Sequence, residues 1–274
     1  MIPAQFEYVR AGSVEELIGA LTEHGDEAKI LAGGMSLLPL MKLRLATPSV
    51  LVDAGRLSDL SYIRDAGDHL AIGALTRHYD LETSELLQRE CGVLAGVAHE
   101  VGDNEVRHRG TLGGSAAHGD PASDLPAALL ALDATLVAQG PSGTREIPAG
   151  DFFQGFLETT LAPDELLTEI RVPKTGTDGF AYQKFNRRAQ DWAIVGALAA
   201  QVDGGWRVSL VNMGSVPLRA TAVEGALASG ASVAEAAERA AEGTDPPRDL
   251  NATPEFREHL ARVLVRRALE AARS

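Results

Sequence analysis

Apolar and polar residues alternate in short blocks along the first part of the chain. The run Phe6–Ala11 predicts a strand, and Ser13 followed by Glu16 has the spacing of a helix capping box. A second strand is predicted at 28–32, a helix at 36–46 and a third strand at 49–54. The order strand, helix, strand, glycine loop, helix, strand is typical of a compact α/β unit.

The middle of the chain continues with the same kinds of element. Strand-like runs occur at 69–76, 135–139 and 165–172, and helical periodicity occurs at 76–81, 86–101 and 125–134. The stretch 107–124 is rich in glycine and turn residues, so it is predicted to be a loop. The segment Pro173–Gly179 has the composition of a linker.

The last hundred residues have a different pattern. Three strand-like runs lie between 179 and 214, with Asp203-Gly204-Gly205 as a hairpin turn between the last two. Three helices are then predicted, at Leu218–Ser229, Val233–Glu242 and Pro254–Ala272, the last with Thr253 as its N-cap. This pattern predicts a small antiparallel sheet backed by helices, and the α+β class for the whole chain.

Composition and charge exclude several functions. A net charge of −13 argues against nucleic-acid binding, which depends on basic side chains that neutralise phosphates. No run of apolar residues is long enough to span a membrane, and the N-terminus does not resemble a leader peptide, so a cytoplasmic protein is expected.

The sequence contains one cysteine, Cys91, which excludes an intrachain disulfide and a cysteine-ligated Fe–S cluster within this chain. Cys91 lies among helical apolar residues and is expected to be buried. The histidines show no metal-ligand spacing, and surface or helix-capping positions are expected for all of them: His24, His69, His78, His99, His108, His118 and His259.

Two glycine-rich segments are the strongest candidates for chemistry. The first, Ala32-Gly33-Gly34-Met35-Ser36, follows a predicted strand and opens a predicted helix. Glycines allow a sharp turn and a close approach of the backbone, so that consecutive N–H groups can converge on an anion. The second, Thr111–Ser115, again has two glycines between hydroxyl residues. Each segment alone is also compatible with a plain turn, whereas the pair suits a diphosphate held from two sides.

Other nucleotide motifs are missing. Neither segment has the G-x-G-x-x-G spacing of a dinucleotide-binding unit or the Gly-Lys-Ser/Thr of a phosphate-binding loop. Segments 30–53, 106–134 and 182–197 together, however, resemble the FAD-binding medium subunit of the molybdenum hydroxylases, a family that includes aerobic carbon monoxide dehydrogenase and xanthine dehydrogenase. The resemblance runs from about residue 2 to the C-terminus.

This resemblance implies a fold and a domain organisation. Residues 1–174 would form a two-subdomain FAD-binding domain of the vanillyl-alcohol-oxidase type, with subdomains at about 1–55 and 56–174. Residues 178–274 would form the C-terminal α+β domain of the flavin subunits.

The resemblance also implies which residues contact FAD. Ser115 stands where the family usually has asparagine, and either Leu166 or Leu167 matches a leucine near the flavin. Asp120 and Asp124 match the family's acidic motif, but are also compatible with a turn and a helix cap. Lys184 is either a flavin contact or a solvated strand residue, and Trp192 either shields the flavin or lies in the core. The full set implied is Ala32, Gly33, Gly34, Met35, Ser36, Leu37, Val101, Thr111, Gly113, Gly114, Ser115, Asp120, Asp124, Leu166, Leu167, Lys184 and Trp192.

The implied function is electron transfer within a larger oxidoreductase. The chain would take electrons from a 2Fe–2S partner subunit, which receives them from a molybdopterin-containing large subunit, and pass them to an external acceptor. A dimer of heterotrimers is implied as the assembly. No residue of this chain is expected to act as a catalytic acid or base, and no metal is expected. The alternatives are a self-contained FAD-dependent oxidase or dehydrogenase, and a non-catalytic module that binds a diphosphate.

Overall fold

Residues 7–53 contain a three-stranded parallel sheet. The structure, a computed structural model, describes residues 2–177 and 179–273; Met1 and Ser274, at the ends of the predicted domains, and Asp178, in the predicted linker, lie outside the described residues. Its first elements are β1 (Glu7–Arg10), α1 (Val14–His24), β2 (Ala28–Leu31), α2 (Leu37–Lys42) and β3 (Val50–Asp53). We call this the first sheet, and its strand order is β1-β3-β2.

Of the capping box predicted at the start of α1, the structure has the Ser13 cap, but Glu16 bonds to the N–H of Gly12 and not to that of Ser13. The Ser13 hydroxyl accepts a hydrogen bond from the Glu16 N–H, and the Glu16 carboxylate accepts one from the Gly12 N–H at 2.7 Å. The helix buries Leu17 and Leu21 against the first sheet. The predicted order of elements in this part is therefore confirmed.

A five-stranded antiparallel second sheet follows, in the order β4-β5-β10-β6-β7. Along the chain, seven helices and one small hairpin lie between its strands. In chain order the elements are β4 (Ile63–Asp65), β5 (His69–Gly73), α3 (His78–Thr83), α4 (Glu85–Glu90), α5 (Gly92–His99), α6 (Asn104–Arg107), α7 (Leu112–His118), α8 (Asp124–Ala131), β6 (Thr135–Gly140), β7 (Gly143–Pro148), α9 (Ala149–Phe152), β8 (Phe153–Gly155), β9 (Glu158–Thr159) and β10 (Leu166–Pro173).

The third sheet is antiparallel, and helices cover it as predicted. Its elements are β11 (Phe180–Phe185), β12 (Val195–Val202), β13 (Gly205–Val211), β14 (Leu218–Arg219), α10 (Thr221–Ala228), α11 (Val233–Ala237) and α12 (Pro254–Ala271). The hydroxyl of Thr253 caps α12 by accepting from the Phe256 N–H. The α+β class is confirmed.

Strand β12 connects the third sheet to the rest of the molecule. On one face, Val195, Ala197 and Ala199 pack with α10, α11 and α12. On the other face, Leu198 and Ala200 belong to the large core under the second sheet. Because alternate residues of a strand point to opposite faces, one strand contributes to both cores.

The single helix predicted over 86–101 is wrong. The structure has α4 and α5, which are separated at Cys91, where φ is −151° and ψ is 62°. The N–H of Gly92 donates to the carbonyl of Gly176 at 2.9 Å, so the chain leaves the helical path to bond with the segment after β10. Cys91 itself is buried, as expected.

The loop predicted over 107–124 is also partly wrong, because α7 lies inside it. Thr111 caps this helix by accepting from the Gly114 N–H at 3.2 Å. Two glycines in sequence argue against a helix, but here they serve a packing need. A Cβ at Gly113 would lie 2.5 Å from the Cβ of Ala74, so only glycine lets this helix approach β5.

Smaller differences concern ends and short strands. The helix predicted from Leu218 is preceded by β14, and the one predicted over Val233–Glu242 ends at Ala237. Five strands were not predicted: β4, β7, β8, β9 and β14. Most of the residues of β7 are exposed, so no apolar alternation marks it.

His78 contradicts the expectation of surface or capping histidines. It is 5% exposed, and its Nδ1 atom has no hydrogen-bond partner among the described residues. Burial, with the nearby Arg107 charge, lowers the pKa of His78 to about 4 from an ordinary 6.5. The imidazole is therefore neutral in the folded protein at neutral pH.

Leu198→Ala is expected to lower the free energy of unfolding by about 2–5 kcal/mol, because a fully buried leucine leaves a cavity in the large core. Leu45→Ala is the matched control, since Leu45 is 74% exposed, and should change stability by no more than about 0.5 kcal/mol. Urea denaturation of both variants measures the difference. Equal denaturation midpoints would contradict the role given to β12.

His78 should make the fold less stable in acid. Between pH 6.5 and pH 4 the unfolded chain protonates this imidazole and the folded chain does not, so the free energy of unfolding falls as the pH falls. Relative to His78→Asn, the wild type should lose about 3 kcal/mol over this range. Denaturant titrations at several pH values measure it, with the exposed His99→Asn as control. A pH-independent difference between wild type and His78→Asn would refute the assignment.

Candidate functional site

A cavity of about 590 Å³ lies where the first sheet, the second sheet and the loop after β11 meet. This volume is within the range of cofactor and ligand sites. The lining comes from three parts of the chain: residues 21–37 of the first sheet, residues 74–167 around the second sheet, and residues 184–192 of β11 and the loop that follows.

Unpaired backbone donors lie along one wall of this cavity. After β2 ends, the chain turns through Gly34, where φ is +75° and glycine is favoured. No acceptor among the described residues receives the N–H groups of five consecutive residues, Gly33, Gly34, Met35, Ser36 and Leu37. We call this run the N–H row. A run of free N–H groups of this kind binds anions.

The second glycine segment differs from the first. Its N–H groups are used within the protein: Leu112 donates to Thr76 O, Gly113 to Ala74 O, Gly114 to the Thr111 hydroxyl and Ser115 to Thr111 O. The Thr111 N–H and side chains such as the Ser115 hydroxyl remain for a ligand, since no acceptor among the described residues receives the Thr111 N–H. Four paired N–H groups make this wall a support rather than a second row of donors.

The two glycine segments lie next to each other in the lining of the cavity. A Cβ at Gly33 would lie 2.2 Å from the carbonyl oxygen of Arg109, and one at Gly114 would lie 3.8 Å from the Cβ of Ala32. The first contact is shorter than any real Cβ contact. Glycine at position 33 is therefore required by the close approach of two backbones.

A buried ion pair closes another part of the cavity. Lys184 Nζ lies 2.7 Å from Asp124 Oδ2 and donates to the Glu100 carbonyl at 3.0 Å. The Tyr182 hydroxyl donates to the other Asp124 oxygen. Burial raises the pKa of the Asp124 carboxyl, although Lys184 and Tyr182 oppose this. The same burial raises the pKa of Tyr182, which keeps it a donor.

These contacts decide between the alternatives left open for Lys184 and for Asp124. The Lys184 side chain is only 6% exposed, so the solvated strand lysine is wrong. Asp124 begins α8, but its carboxylate binds Tyr182 and Lys184 rather than a helix N–H. An aspartate on α8 and a lysine on β11 thus link the second sheet to the third through the cavity wall.

Trp192 is 65% exposed at the edge of the cavity, so the alternative of a core tryptophan is wrong. It belongs to the segment 186–194 between β11 and β12, which we call the Trp192 loop. Gln190 and Asp191 of this loop also line the cavity. The Trp192 N–H donates to the Asp191 carboxylate at 3.0 Å.

The structure brings together every implied cofactor residue except Asp120. That residue lies outside the lining, and its carboxylate accepts from the Ala122 N–H at 2.8 Å in a local turn. Both Leu166 and Leu167 line the cavity and are buried, so the choice between them stays open. The residues that line it are Ala32, Gly33, Gly34, Met35, Ser36, Leu37, Val101, Thr111, Gly113, Gly114, Ser115, Asp124, Leu166, Leu167, Lys184 and Trp192.

Sequence reasoning missed several lining residues. Lys29 is a cation on β2, the strand that precedes the glycine turn, and its place in such a strand is a signal that the sequence offers. Ser123 is adjacent to Asp124 in the acidic motif. His78 gave no signal, because its burial depends on the chain folding back through Gly110.

Within the described ranges no group of three or more His, Cys, Asp or Glu side chains is arranged to hold a metal ion. None of the helices in those ranges combines the length and apolarity that a membrane crossing requires.

Two family models cover nearly the whole chain. The model described as the FAD binding domain in molybdopterin dehydrogenase matches residues 4–175. The model described as the CO dehydrogenase flavoprotein C-terminal domain matches residues 180–272. FAD is therefore the cofactor of this family, and the N–H row with the adjoining cavity fits a ligand that carries an anionic diphosphate.

Individual relatives agree. The carbon monoxide dehydrogenase medium chain of Hydrogenophaga pseudoflava is 40% identical, over 99% of this chain and 98% of its own length. The subunit alpha of the 6-hydroxypseudooxynicotine dehydrogenase complex of Paenarthrobacter nicotinovorans is 38% identical, over 99% and 96%. Among solved structures, a chain of carbon monoxide dehydrogenase from Hydrogenophaga pseudoflava superposes with a TM-score of 0.95 at 41% identity, covering 99% of this chain and 98% of that one. The resemblance inferred from the three sequence segments is confirmed, and the chain belongs to the FAD-binding medium subunits of the molybdenum hydroxylases, which are subunits of oxidoreductases.

Proposed function

We propose that the N–H row binds the diphosphate of FAD and that the rest of the cavity holds the remainder of the cofactor. Five free donors in sequence match the several oxygens of a diphosphate, which no single side chain can satisfy. Lys29, on the strand that leads into the row, adds a positive charge to the lining of the same cavity. The Thr111 and Ser115 hydroxyls contribute from the adjacent glycine segment.

The flavin end is assigned to the other side of the cavity, beside Asp124, Lys184 and Trp192. Lys184 is held in place by Asp124 and the Glu100 carbonyl, which use two of its three N–H groups and leave the third to donate to the cofactor. Trp192 presents an exposed ring at the edge of the cavity and keeps water from one side of a planar ligand. Asp120 has no assigned contact in this arrangement, because its carboxylate is engaged in a turn.

When bound, FAD supplies redox chemistry that accepts electrons singly and releases them singly or in pairs. We assign this chain the role of an electron-transfer subunit, which receives electrons from a 2Fe–2S partner and delivers them to an external acceptor. The support is the match of 99% of this chain to 98% of the length of a carbon monoxide dehydrogenase medium chain. The chemistry of the organic or gaseous substrate then belongs to a molybdopterin-containing partner, in a cytoplasmic complex.

We also propose a division of labour between the two matched regions. Residues 1–174 hold the diphosphate, and residues 178–274 support Lys184 and Trp192 at the flavin end. The support is the position of the ion pair, which joins α8 on one side to β11 on the other. The single observation that carries the FAD assignment within the structure is the N–H row.

Gly33→Ala should weaken FAD binding by about tenfold or more, because the new Cβ would lie 2.2 Å from the Arg109 carbonyl and force the N–H row out of position. Gly19→Ala in α1 is the control, since a Cβ there meets nothing within 4 Å. Flavin content from visible absorbance, with circular dichroism to verify folding, measures the effect. Unchanged flavin content in folded Gly33→Ala would contradict the diphosphate assignment.

The electron-transfer role is tested by mixing the FAD-loaded chain with its reduced partner. The proposed 2Fe–2S partner subunit is reduced with dithionite, desalted and added without oxygen. The visible absorbance of the flavin should bleach, and it should not bleach when an oxidised partner is added. A flavin that stays oxidised with the reduced Fe–S subunit, but is bleached by a small organic substrate alone, would favour a self-contained dehydrogenase.

A further inference from the structure

The Trp192 loop needs an anchor that it does not itself provide. Trp192 is 65% exposed, and Gln190 has a φ of +66°, which is unfavourable for a residue with a side chain. A bond from Ile194 N to Phe185 O at 2.8 Å closes the base of the loop, and among the described residues its outer part has only the bonds from Asp191 N to Arg188 O at 3.3 Å and from Trp192 N to the Asp191 carboxylate. Contacts of this kind leave an exposed loop free to move.

Asn212, at the end of β13, holds the base of the loop. Its side-chain amide donates to the Ala193 carbonyl at 2.8 Å, and its own N–H donates to the Pro121 carbonyl at the same distance. The residue has a φ of +61°, a conformation in which asparagine is favoured over most side chains. One residue of the third sheet therefore joins the Trp192 loop to the turn that precedes Asp124.

Arg257, on α12, holds the next carbonyl. Its guanidinium is fully buried, donates to the Ile194 carbonyl, and pairs with the Asp249 carboxylate at 2.7 Å. Asp249 is in turn held by the N–H groups of Asn251 and Ala252. A buried, paired guanidinium has a fixed orientation, because its planar group must satisfy both partners at once.

Successive carbonyls, Ala193 and Ile194, are thus bound by two side chains that do not line the cavity. Ala193 also packs in a small cluster with Ala127 of α8 and Val211 of β13. We propose that Asn212 and Arg257 are positioning residues that hold Trp192 against the flavin. This inference rests on the proposed placement of the flavin beside Trp192, and it gives the helices of the C-terminal region a role at the cofactor.

The variants are chosen to remove the anchor and keep the backbone. Asn212→Gly suits the positive φ and keeps the N–H bond to Pro121, so it removes only the side-chain amide. Asn212→Asp keeps the shape but removes the donor. Asp203→Gly is the matched control, because Asp203 also has a positive φ, of +50°, at the other end of β13 and is exposed. Arg257→Lys keeps the charge but not the planar fork, with the exposed Arg266→Lys on the same helix as its control.

The readout is the fluorescence of Trp192 in a Trp206→Phe background, where Trp192 is the only remaining tryptophan. Bound FAD should quench this fluorescence in the otherwise wild-type protein. Loss of one hydrogen bond should shift the equilibrium between docked and undocked loop by about fivefold, so that quenching falls in Asn212→Gly, Asn212→Asp and Arg257→Lys while flavin content stays unchanged. The control variants should quench as the background protein does.

Two results would overturn the proposal, and they are distinguishable. Undiminished quenching in the Asn212 and Arg257 variants means that these residues do not position the loop, and leaves the proposed flavin placement intact. No quenching in the background protein, with FAD bound, means that the flavin does not lie beside Trp192, and removes the placement and this inference together. If Asn212→Gly fails to fold, Asn212→Asp and Arg257→Lys decide the matter.

Discussion

Five consecutive main-chain N–H groups without a partner are the constraint around which the rest of the cavity is arranged. The residues of this run are partly exposed, so water can bond to these donors until a ligand supplies acceptors in its place. The turn at Gly34 points the run into the cavity, and the contact between Gly33 and the Arg109 backbone sets how closely the adjoining wall approaches. The second glycine segment, with four of its N–H groups already paired, supports this wall.

The three sheets contribute different things to one site. The first supplies the N–H row, the second supplies the supporting wall and Asp124, and the third supplies Lys184 and the Trp192 loop. Strand β12 packs against both neighbouring cores, and the ion pair between Asp124 and Lys184 crosses the same boundary. Because breaking a buried ion pair leaves a charge uncompensated, this contact resists separation of the third sheet from the second.

Local patterns predicted much of this architecture. The helix cap at Ser13 and the order of elements in the first sheet follow from short-range signals, and the strands of the third sheet follow from apolar alternation. The break at Cys91 does not, because it is caused by a bond between Gly92 and Gly176, which are far apart in sequence. Helix α7 was not predicted for a similar reason. Its Gly113 is required by close packing on Ala74, whereas helix propensity disfavours glycine.

The site follows the same division. Glycine segments and the family motifs identified most of the cavity lining, but a sequence does not show which N–H groups are already paired, and so it treated both glycine segments as donors. The sequence also gave no signal for Asn212 or Arg257. Both donate to main-chain carbonyls, which every residue has, so no residue type marks their partners.

Amide hydrogen exchange with and without FAD tests the central claim most directly. Free N–H groups at Gly33–Leu37 should exchange rapidly in the cofactor-free chain and slow strongly when FAD is added, whereas Leu112–Ser115 should be protected in both states. Rapid exchange at Gly33–Leu37 that persists with FAD bound would contradict the claim that this row holds the diphosphate.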